Sequence, residues 1–332
     1  NTPVPRWISD QTSQAQMPLP RLREKRAQAW TLNALASSYS RSGQPRAAVP
    51  LLEMHYSLRE RLRDKTNQAI GLRNLGSVHL ELGELAEAER NLRHSIEWSH
   101  ESKEHALEAS GHQELGRLLA IQGAFDEAGE HLDIASEIQE RIGRIQSAGR
   151  TWTYRAQSAL LMGRPKAALD AARSALQKAE ETADSPHLIY PIRDFVWAYW
   201  LLGSAHLALR HRLKAEVYLS EALTRCRHIN LVELEADILL AWAHWHRERD
   251  EQDEAREAAK EALSIADRAE YRLKQADIYN FLANWEADAG DTAAVLQLAK
   301  IAQGRALCDG PPHCYRPALD EAERLLEIGQ GQ

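Results

Sequence analysis

Small and apolar residues recur along this chain with the spacing of amphipathic helices, and the whole pattern repeats about every 40 residues. Apolar positions three or four residues apart line one face of each segment, and no segment keeps the two-residue period of a strand over a useful length. Small residues mark the two places in each repeat where helices can cross closely. In the first segment they are Ala36, Gly76, Gly116, Ala156, Gly203, Ala243 and Ala283, and in the second Ala48, Ala88, Ala128, Ala168, Ala215 and Ala255, with Val295 in the last. The pattern predicts an all-α protein.

A turn separates the two segments of each repeat. Glycine stands in the first four turns at intervals of 40 residues, and the same junction then recurs with and without glycine. The turn residues are Gly43, Gly83, Gly123, Gly163, Arg210, Asp250 and Gly290. Self-similarity at such a period is typical of a solenoid, whose units are too small to bury a core alone. We therefore predict seven helix-turn-helix units over residues 22–303, with one irregular interval of 47 residues.

The two ends of the chain differ from the repeats. Residues 1–21 carry four prolines among mostly polar residues, which predicts an extended lead-in. Residues 304–332 open with a proline-rich turn and continue into an amphipathic stretch from Pro317 to about Ile328. A solenoid needs a terminal element with a polar outer face, so this stretch is predicted to be a capping helix.

The repeated pattern resembles the tetratricopeptide repeat. It is clearest in LRNLGSVHLELGELAEAERNLRHS (residues 72–95) and HQELGRLLAIQGAFDEAGEHLDIA (residues 112–135), where small, large and turn positions agree. The resemblance implies a right-handed superhelix, an α-solenoid of about seven units with a C-terminal capping helix. These units are longer than the usual length of about 34 residues. In this they resemble the units of kinesin light chains and of the C-terminal sensor arrays of bacterial STAND-type NTPases.

Composition narrows the range of partners. The 332-residue chain carries 41 basic and 48 acidic side chains, a formal net charge of −7 with both signs interspersed. A protein whose main partner is nucleic acid needs a basic face, so no nucleic acid is expected. No apolar run reaches the roughly 18 residues of a membrane span, and no secretory signal opens the chain. Three cysteines are too few for a disulfide framework, so we predict a cytoplasmic protein without membrane contact.

Motifs that carry catalysis or bind cofactors are absent from the sequence. It has no phosphate-binding glycine loop, no dinucleotide fingerprint, no nucleophile elbow and no H-E-x-x-H pair. Cys308, His313 and Cys314 lie close together, but their spacing matches no common zinc pattern, which leaves a packed turn or a redox-sensitive pair. His244 and His246 face different sides of a helix and cannot chelate one ion. We predict that the protein is not an enzyme and holds no metal or cofactor.

The resemblance also implies where ligands bind, because the first helix of each tetratricopeptide unit lines a concave wall. The positions on these helices that we expect to be exposed are rich in asparagine, arginine and tryptophan. An asparagine amide can bond both donor and acceptor of an extended peptide, and arginine and tryptophan often anchor interfaces. The candidate groove residues are Asn33, Arg73, Asn74, Gln113, Arg117, Tyr154, Gln157, Trp197, Trp200, His244, Arg247, Asn280 and Asn284. For Trp197 and Trp200 the alternative is packing between units, since the irregular interval leaves their register open.

Two classes of function fit such an array. The leading hypothesis is a recognition module, the sensor array of a larger signalling or regulatory protein, which binds a protein, a peptide or a small effector in its concave groove. The proline-rich start at Asn1, which is not a methionine, indicates an upstream domain, and the resemblance to STAND-type arrays implies that this domain is an NTPase. The alternatives are a constitutive scaffold or adaptor of the kinesin-light-chain kind, and an accessory array fused to an effector enzyme.

Overall fold

The computed structural model describes residues 22–183 and 191–330. These residues form fifteen α-helices and contain no strand, only an isolated bridge between Gly310 and His313. The helices are α1 (Lys25–Arg41), α2 (Pro45–Arg61), α3 (Lys65–Leu82), α4 (Leu85–Glu101), α5 (His105–Ile121), α6 (Phe125–Ile142), α7 (Ile145–Leu161), α8 (Pro165–Thr182), α9 (Pro191–Ala208), α10 (Arg212–His228), α11 (Val232–Arg247), α12 (Gln252–Arg268), α13 (Arg272–Ala289), α14 (Thr292–Ala306) and α15 (Arg316–Gly329). Over these described residues, no helix is long and apolar enough to cross a membrane.

The helices pack in consecutive pairs, which we number as unit 1 (α1 and α2) to unit 7 (α13 and α14). Each unit also packs against the next, so that the core runs continuously along the array. The stacked units form a right-handed superhelix, and α15 covers its C-terminal end. The predicted fold class, an all-α solenoid of about seven helix-turn-helix units with a capping helix, is confirmed.

Small residues let the two helices of a unit cross closely, as the sequence pattern predicts. A Cβ atom on Gly76 would lie 2.6 Å from Cγ of Leu92, and one on Gly203 would lie 2.6 Å from Cδ2 of Leu219. Such distances are too short for carbon atoms in a packed interior. The missing side chains of these glycines therefore set how near the first helix approaches the second.

The superhelix closes on itself after five units, because the turns of units 1, 2 and 3 meet the start of α11, α13 and α15. The contacting pairs are Gly43 with Val232, Gly83 with Arg272, and Gly123 with Arg316. A Cβ atom on each of these glycines would lie 2.7 to 2.9 Å from the partner's side chain. The same glycines have φ values of 73° to 83°, a region that glycine adopts without strain. We call this set of contacts the inter-turn seam.

Polar contacts reinforce the inter-turn seam. Arg46 Nε donates to Glu270 Oε2 at 3.2 Å, joining unit 1 to the loop before α13. The backbone N–H of Ala86 donates to Asp309 Oδ2 at 2.9 Å, joining unit 2 to the loop before α15. The seam therefore turns the concave side of the array into an enclosed space.

The C-terminal helix behaves as a cap. Its buried residues include Ala318, Leu319, Ala322 and Leu325. Leu325 packs in one cluster with residues of unit 7, namely Ala283, Val295 and Ala299. The predicted lead-in over residues 1–21, the stretch 184–190 of the irregular interval and the last two residues lie outside the described part of the chain.

Candidate functional site

The odd-numbered helices α1 to α13 form the inner layer of the superhelix. Each of them contacts the next odd-numbered helix, and α1 and α3 also contact α11 and α13 across the inter-turn seam. Elements on the concave side of a curved array lie closer together than those on the convex side, so these contacts place the odd-numbered helices inside. We call the space that they surround the groove.

Two asparagines meet side chain to side chain between α1 and α3. Asn74 Nδ2 donates to Asn33 Oδ1 at 2.7 Å, and Arg73 Nη2 donates to Asn74 Oδ1 at 2.9 Å. All three side chains are partly exposed. This chain of hydrogen bonds fixes the position of the Arg73 guanidinium on the groove wall.

An arginine rests on two aromatic rings at the middle of the groove. The Arg117 guanidinium carbon lies 5.5 Å from the ring centre of Tyr154 and 5.3 Å from that of Trp197. Tyr154 Oη donates to Glu114 Oε1 at 2.8 Å, and burial followed by the charge of Glu114 raises the pKa of the Tyr154 hydroxyl. Trp197 continues the cluster through an edge-to-face contact with Trp200, at 5.4 Å between ring centres. The wall here is aromatic and positively charged.

Carboxylates from opposite sides of the groove also interact. Glu81 of α3 accepts a hydrogen bond from Ser40 Oγ at 2.9 Å, and Glu233 of α11 accepts one from Arg193 Nη2 at 2.6 Å. Burial and then the negative charge of Glu233 raise the pKa of Glu81. Although burial opposes it, the positive charge of Arg193 lowers the pKa of Glu233. The groove therefore keeps Glu233 ionised and favours a proton on Glu81.

A second carboxylate pair lies between α11 and α13. Lys274 Nζ donates to Asp237, and Tyr315 Oη donates to Asp277 Oδ2 at 3.1 Å. Burial and then the charge of Asp237 raise the pKa of Asp277 to about 7. The lysine neutralises Asp237 directly, so Asp277 is the carboxyl group that titrates near neutral pH.

A cavity of about 590 Å³ opens on the groove side of units 4 to 6. Its walls combine aliphatic side chains with polar ones and consist of Leu160, Ser204, Leu207, Ala208, Arg210, Ala241, His244, Arg247 and Glu248. The His244 ring packs edge-to-face on Phe281 at 4.6 Å, and Arg247 forms an ion pair with Asp288. The volume lies in the range of small-ligand pockets and is large enough for more than one side chain.

Three of the thirteen candidate residues are engaged inside the protein. Gln113 is fully buried, and its Nε2 donates to Thr151 Oγ1 at 2.8 Å. Asn280 is 5% exposed and donates to the carbonyl oxygen of Ala318 at 2.8 Å, and Asn284 donates to the carbonyl oxygen of Asn280 at 3.0 Å. The expectation that Gln113, Asn280 and Tyr154 lie at exposed positions is wrong. Both amides join neighbouring helices instead, and the Tyr154 side chain is buried with its hydroxyl bonded to Glu114.

The other candidates fall into three groups. Asn33, Arg73, Asn74, Arg117, Gln157 and Trp200 are partly exposed, Tyr154 and Trp197 are 5% and 7% exposed, and His244 and Arg247 line the cavity. The buried position of Trp197 agrees with the alternative that it packs between units. The Oε1 atom of Gln157 is buried and has no hydrogen-bond partner among the described residues.

Sequence reasoning missed Arg193 and Glu233, the ion pair between α9 and α11. Counting back from the turn at Arg210 in the register of the other units places the start of unit 5 after Arg193, so this residue falls before the repeated positions. The signal that could have revealed it is Pro191, since proline suits the first turn of a helix. The structure begins α9 at that residue.

Among the described residues, the cysteine and histidine side chains form no recognisable metal centre. Within residues 22–183 and 191–330, no group of three or more His, Cys, Asp or Glu side chains is placed to hold an ion. Cys226, Cys308 and Cys314 are all free thiols, and two of them are buried. Of the two thiols in the turn before α15, Cys314 is buried and Cys308 is partly exposed.

Comparison with known proteins agrees with the fold. Residues 27–101 match the family model of the tetratricopeptide repeat, which confirms the resemblance seen in the sequence. No curated protein sequence shows significant similarity to the chain. The Rap conjugation gene regulator of the plasmid pLS20, solved in complex with the Phr* peptide, is 12% identical with a TM-score of 0.66, and the match covers 97% of this chain and 83% of that one.

Two further solved structures are similar at comparable identity. NprR in complex with its cognate peptide NprX is 14% identical with a TM-score of 0.60, over 85% of this chain and 80% of that one. A STAND protein with a tetratricopeptide repeat sensor from Pyrococcus horikoshii is 13% identical with a TM-score of 0.51, over 90% of this chain and 46% of that one. At identities this low, the structural similarity establishes a shared fold and nothing more.

Proposed function

We propose that this chain is a non-catalytic recognition module that binds an extended peptide, or an extended segment of a protein, in its groove. The observation that carries the proposal is the composition of the inner wall. Along one enclosed surface it presents the partly exposed Asn33 and Asn74 amides, the partly exposed Trp200 ring, and a cavity of about 590 Å³. These features match the backbone, the planar groups and the apolar side chains of a peptide.

Two of the similar structures support a peptide ligand. The Rap regulator and NprR are both described as complexes with a peptide. Their likeness to this chain concerns the fold, so the sequence of the bound peptide is not carried over. What the likeness supports is the use of a superhelix of this kind to surround a short chain.

The chemistry of the groove gives each part a role in peptide binding. The side-chain amides of Asn33 and Asn74 provide both donors and acceptors, which suits a peptide backbone that forms no internal hydrogen bonds. The cavity between units 4 and 6 suits an apolar side chain of the ligand, held over Leu207 and Ala241. The arginines of the inner wall favour a ligand with acidic groups.

We also propose that the array is the sensor of a larger signalling or regulatory protein. The similarity to the STAND protein with a tetratricopeptide repeat sensor supports this role, and the array would cover about half of such a protein. A sensor must change shape or dynamics when its ligand binds, whereas a constitutive scaffold need not. Small-angle X-ray scattering with and without a bound peptide distinguishes the two, because a sensor is expected to change its radius of gyration.

The proposed function is tested by selecting peptides from a random library on the immobilised protein and measuring their affinity by titration calorimetry. Replacing Asn74 by Ala and Arg117 by Glu together is expected to weaken a selected peptide at least about thirtyfold, since an amide and a charge are lost from the inner wall. The matched control replaces the exposed Glu130 and Glu137 of the outer helix α6 by Ala, with a change below about threefold expected. Equal losses in both variants, or a loss in the control alone, would contradict binding in the groove.

A further inference from the structure

Three arginines from successive inner helices surround one hydrogen-bonded pair in the groove. Tyr154 Oη donates to Glu114 Oε1 at 2.8 Å, and this pair lies within electrostatic range of Arg73 from α3 and Arg117 from α5. Arg150 from α7 acts on the same tyrosine and lines a small cleft beside it. The positive charges of three units therefore converge on one place.

The carboxylates among the described residues stand apart from these three arginines. In the part of the chain that the structure describes, no carboxylate oxygen lies within the 4.0 Å of an ion pair from Arg73, Arg117 or Arg150. Arg73 is held by the neutral amide of Asn74. The nearby Arg193 is different, because Glu233 accepts its Nη2 hydrogen bond at 2.6 Å. Glu114 is bonded to Tyr154 rather than to an arginine. Glu81 and Glu233 act on Arg117, and Asp194 acts on Arg150, from beyond ion-pair distance.

One atom of the Arg117 guanidinium group also lacks a hydrogen-bond partner in the described part of the chain. Arg117 Nε is buried and has no hydrogen-bond partner among the described residues, although its guanidinium is fixed over the Tyr154 and Trp197 rings. A buried donor without a partner costs about 1–3 kcal/mol, more for a charged group. A ligand that supplies oxygen acceptors at this place would remove that cost.

We infer that Arg73, Arg117 and Arg150 form a binding site for a phosphoryl group. Guanidinium groups without an ion-paired carboxylate suit a phosphate monoester, which carries a charge of about −1.5 to −2 near neutral pH and offers three acceptor oxygens. The convergence of three guanidinium groups on one place favours a single doubly charged group over two separate carboxylates. Arginine suits the role because its planar fork of donors matches phosphate oxygens.

The inference rests on the proposed function where the phosphoryl group belongs to a bound phosphopeptide, and stands apart from it where the group belongs to a small molecule. The two sources share the same chemistry at the three arginines. Inorganic phosphate and phosphoserine test the site alone. A peptide obtained by library selection, made with serine, phosphoserine or glutamate at each position in turn, tests whether a peptide delivers the group.

The first measurement is titration of the protein with inorganic phosphate at constant ionic strength, followed by calorimetry and by the ³¹P line width. One saturable site per chain is expected, with half-saturation at or below about 10 mM. Arg117→Gln and Arg150→Gln are each expected to weaken phosphate about tenfold or more, since each removes a charged hydrogen-bond donor. Absence of saturable binding to the parent protein would overturn the inference.

Two further variants keep the test decisive if an arginine variant folds poorly. Glu114→Gln removes the carboxylate charge beside Tyr154 and still offers the hydroxyl an acceptor, so it is expected to tighten phosphate binding by about threefold or more. Arg155→Gln is the matched control on the same helix, because Arg155 pairs with Asp133 at 2.6 Å away from the cluster. Its effect on phosphate affinity is expected to stay below about threefold. Circular dichroism melting checks the fold of every variant.

The outcomes separate the inference from the proposed function. If the selected peptide binds equally well with serine, phosphoserine and glutamate, and the protein does not bind phosphate, the phosphoryl site is wrong and peptide binding stands. If phosphate and phosphoserine bind but no peptide is ever selected, the site stands and the peptide function fails. Binding of succinate as tightly as phosphate, with the same dependence on the arginines, would replace the phosphoryl site by a general carboxylate site.

Discussion

Gly43 of the first unit lies directly against Val232 of the sixth, so that a Cβ atom on the glycine would stand 2.7 Å from Val232 Cγ1. The same glycine has a φ of 83°, which serves the turn between α1 and α2. One residue thus meets two demands, a local one from the turn and a long-range one from the closed superhelix. Gly163, in the equivalent turn of unit 4, has a φ of 65° but no neighbour within 4 Å of a built Cβ.

Comparing these two glycines isolates the energy of the inter-turn seam. Gly163→Ala is expected to lower the free energy of unfolding by about 1 kcal/mol, because alanine is strained at positive φ. Gly43→Ala adds a clash with Val232 and is expected to cost about 1–3 kcal/mol more. Urea unfolding measures both, and small-angle scattering should show a larger radius of gyration for Gly43→Ala alone. Equal losses of stability would mean that the seam does not restrain the superhelix.

Replacing two helical glycines by alanine is expected to change the stability in opposite directions, because only one of them lies at a close helix crossing. Gly76→Ala is expected to destabilise the protein by about 1–3 kcal/mol, since the new Cβ would lie 2.6 Å from Leu92 Cγ. Gly129 has no neighbour within 4 Å, so Gly129→Ala is expected to stabilise α6 by about 0.5–1 kcal/mol. Thermal and urea unfolding compare the two variants, and the same sign for both would contradict the packing at Gly76.

The raised pKa of Asp277 predicts that the stability of the protein depends on pH. Burial and then the charge of Asp237 raise the pKa of Asp277 from 3.8 to about 7 in the folded protein. A raised carboxyl pKa stabilises the fold below the unfolded value and loses that contribution as pH rises through the folded value. As the pH rises from about 4 to about 7, the contribution of Asp277 should therefore make the free energy of unfolding fall. Asp277→Asn is expected to reduce this slope, with the part due to Glu81 remaining, and to be more stable than the parent at pH 8 by about 1 kcal/mol or more.

Tyr315→Phe provides the complementary variant for the pH measurement. The Tyr315 hydroxyl donates to Asp277 at 3.1 Å and thereby lowers the pKa of that carboxyl group. Its removal should raise the pKa further and shift the loss of stability to higher pH. Unfolding measured by urea at a series of pH values tests both variants. Parallel profiles for the parent and Asp277→Asn would show that another group controls the slope.

The three thiols are expected to react slowly in the folded protein. Burial raises the pKa of Cys226 to about 12 and that of Cys308 to about 11, so few thiolates are present near neutral pH. Modification by a thiol-specific disulfide reagent should therefore be slow at pH 7.5 and become fast in urea, with Cys308 first because it is partly exposed. Rapid reaction of Cys226 without urea would contradict its packing in unit 5.

The candidate site could be predicted only in part from the sequence. The repeat places Asn33 and Asn74 at positions where their amides meet, and it places Arg73 and Arg117 on the inner helices. It could not show that Gln113 is buried against α7, because burial of a helix face depends on how far the next unit rotates. The pairing of Glu81 with charges of unit 6 was equally hidden, since it depends on the pitch of the superhelix.

The sequence by itself determined the helices, their turns and the close crossings within each unit. These features depend on neighbours within about 40 residues. The small residues and the turn that specify them recur in each repeat. The tertiary structure alone decided that the array closes after five units and that Gly43 meets Val232. A small rotation between adjacent units accumulates along a solenoid, so contacts between distant units follow from the sum of all the interfaces. The interaction of Glu81 with Glu233 across the groove depends on that sum and therefore escapes any local pattern.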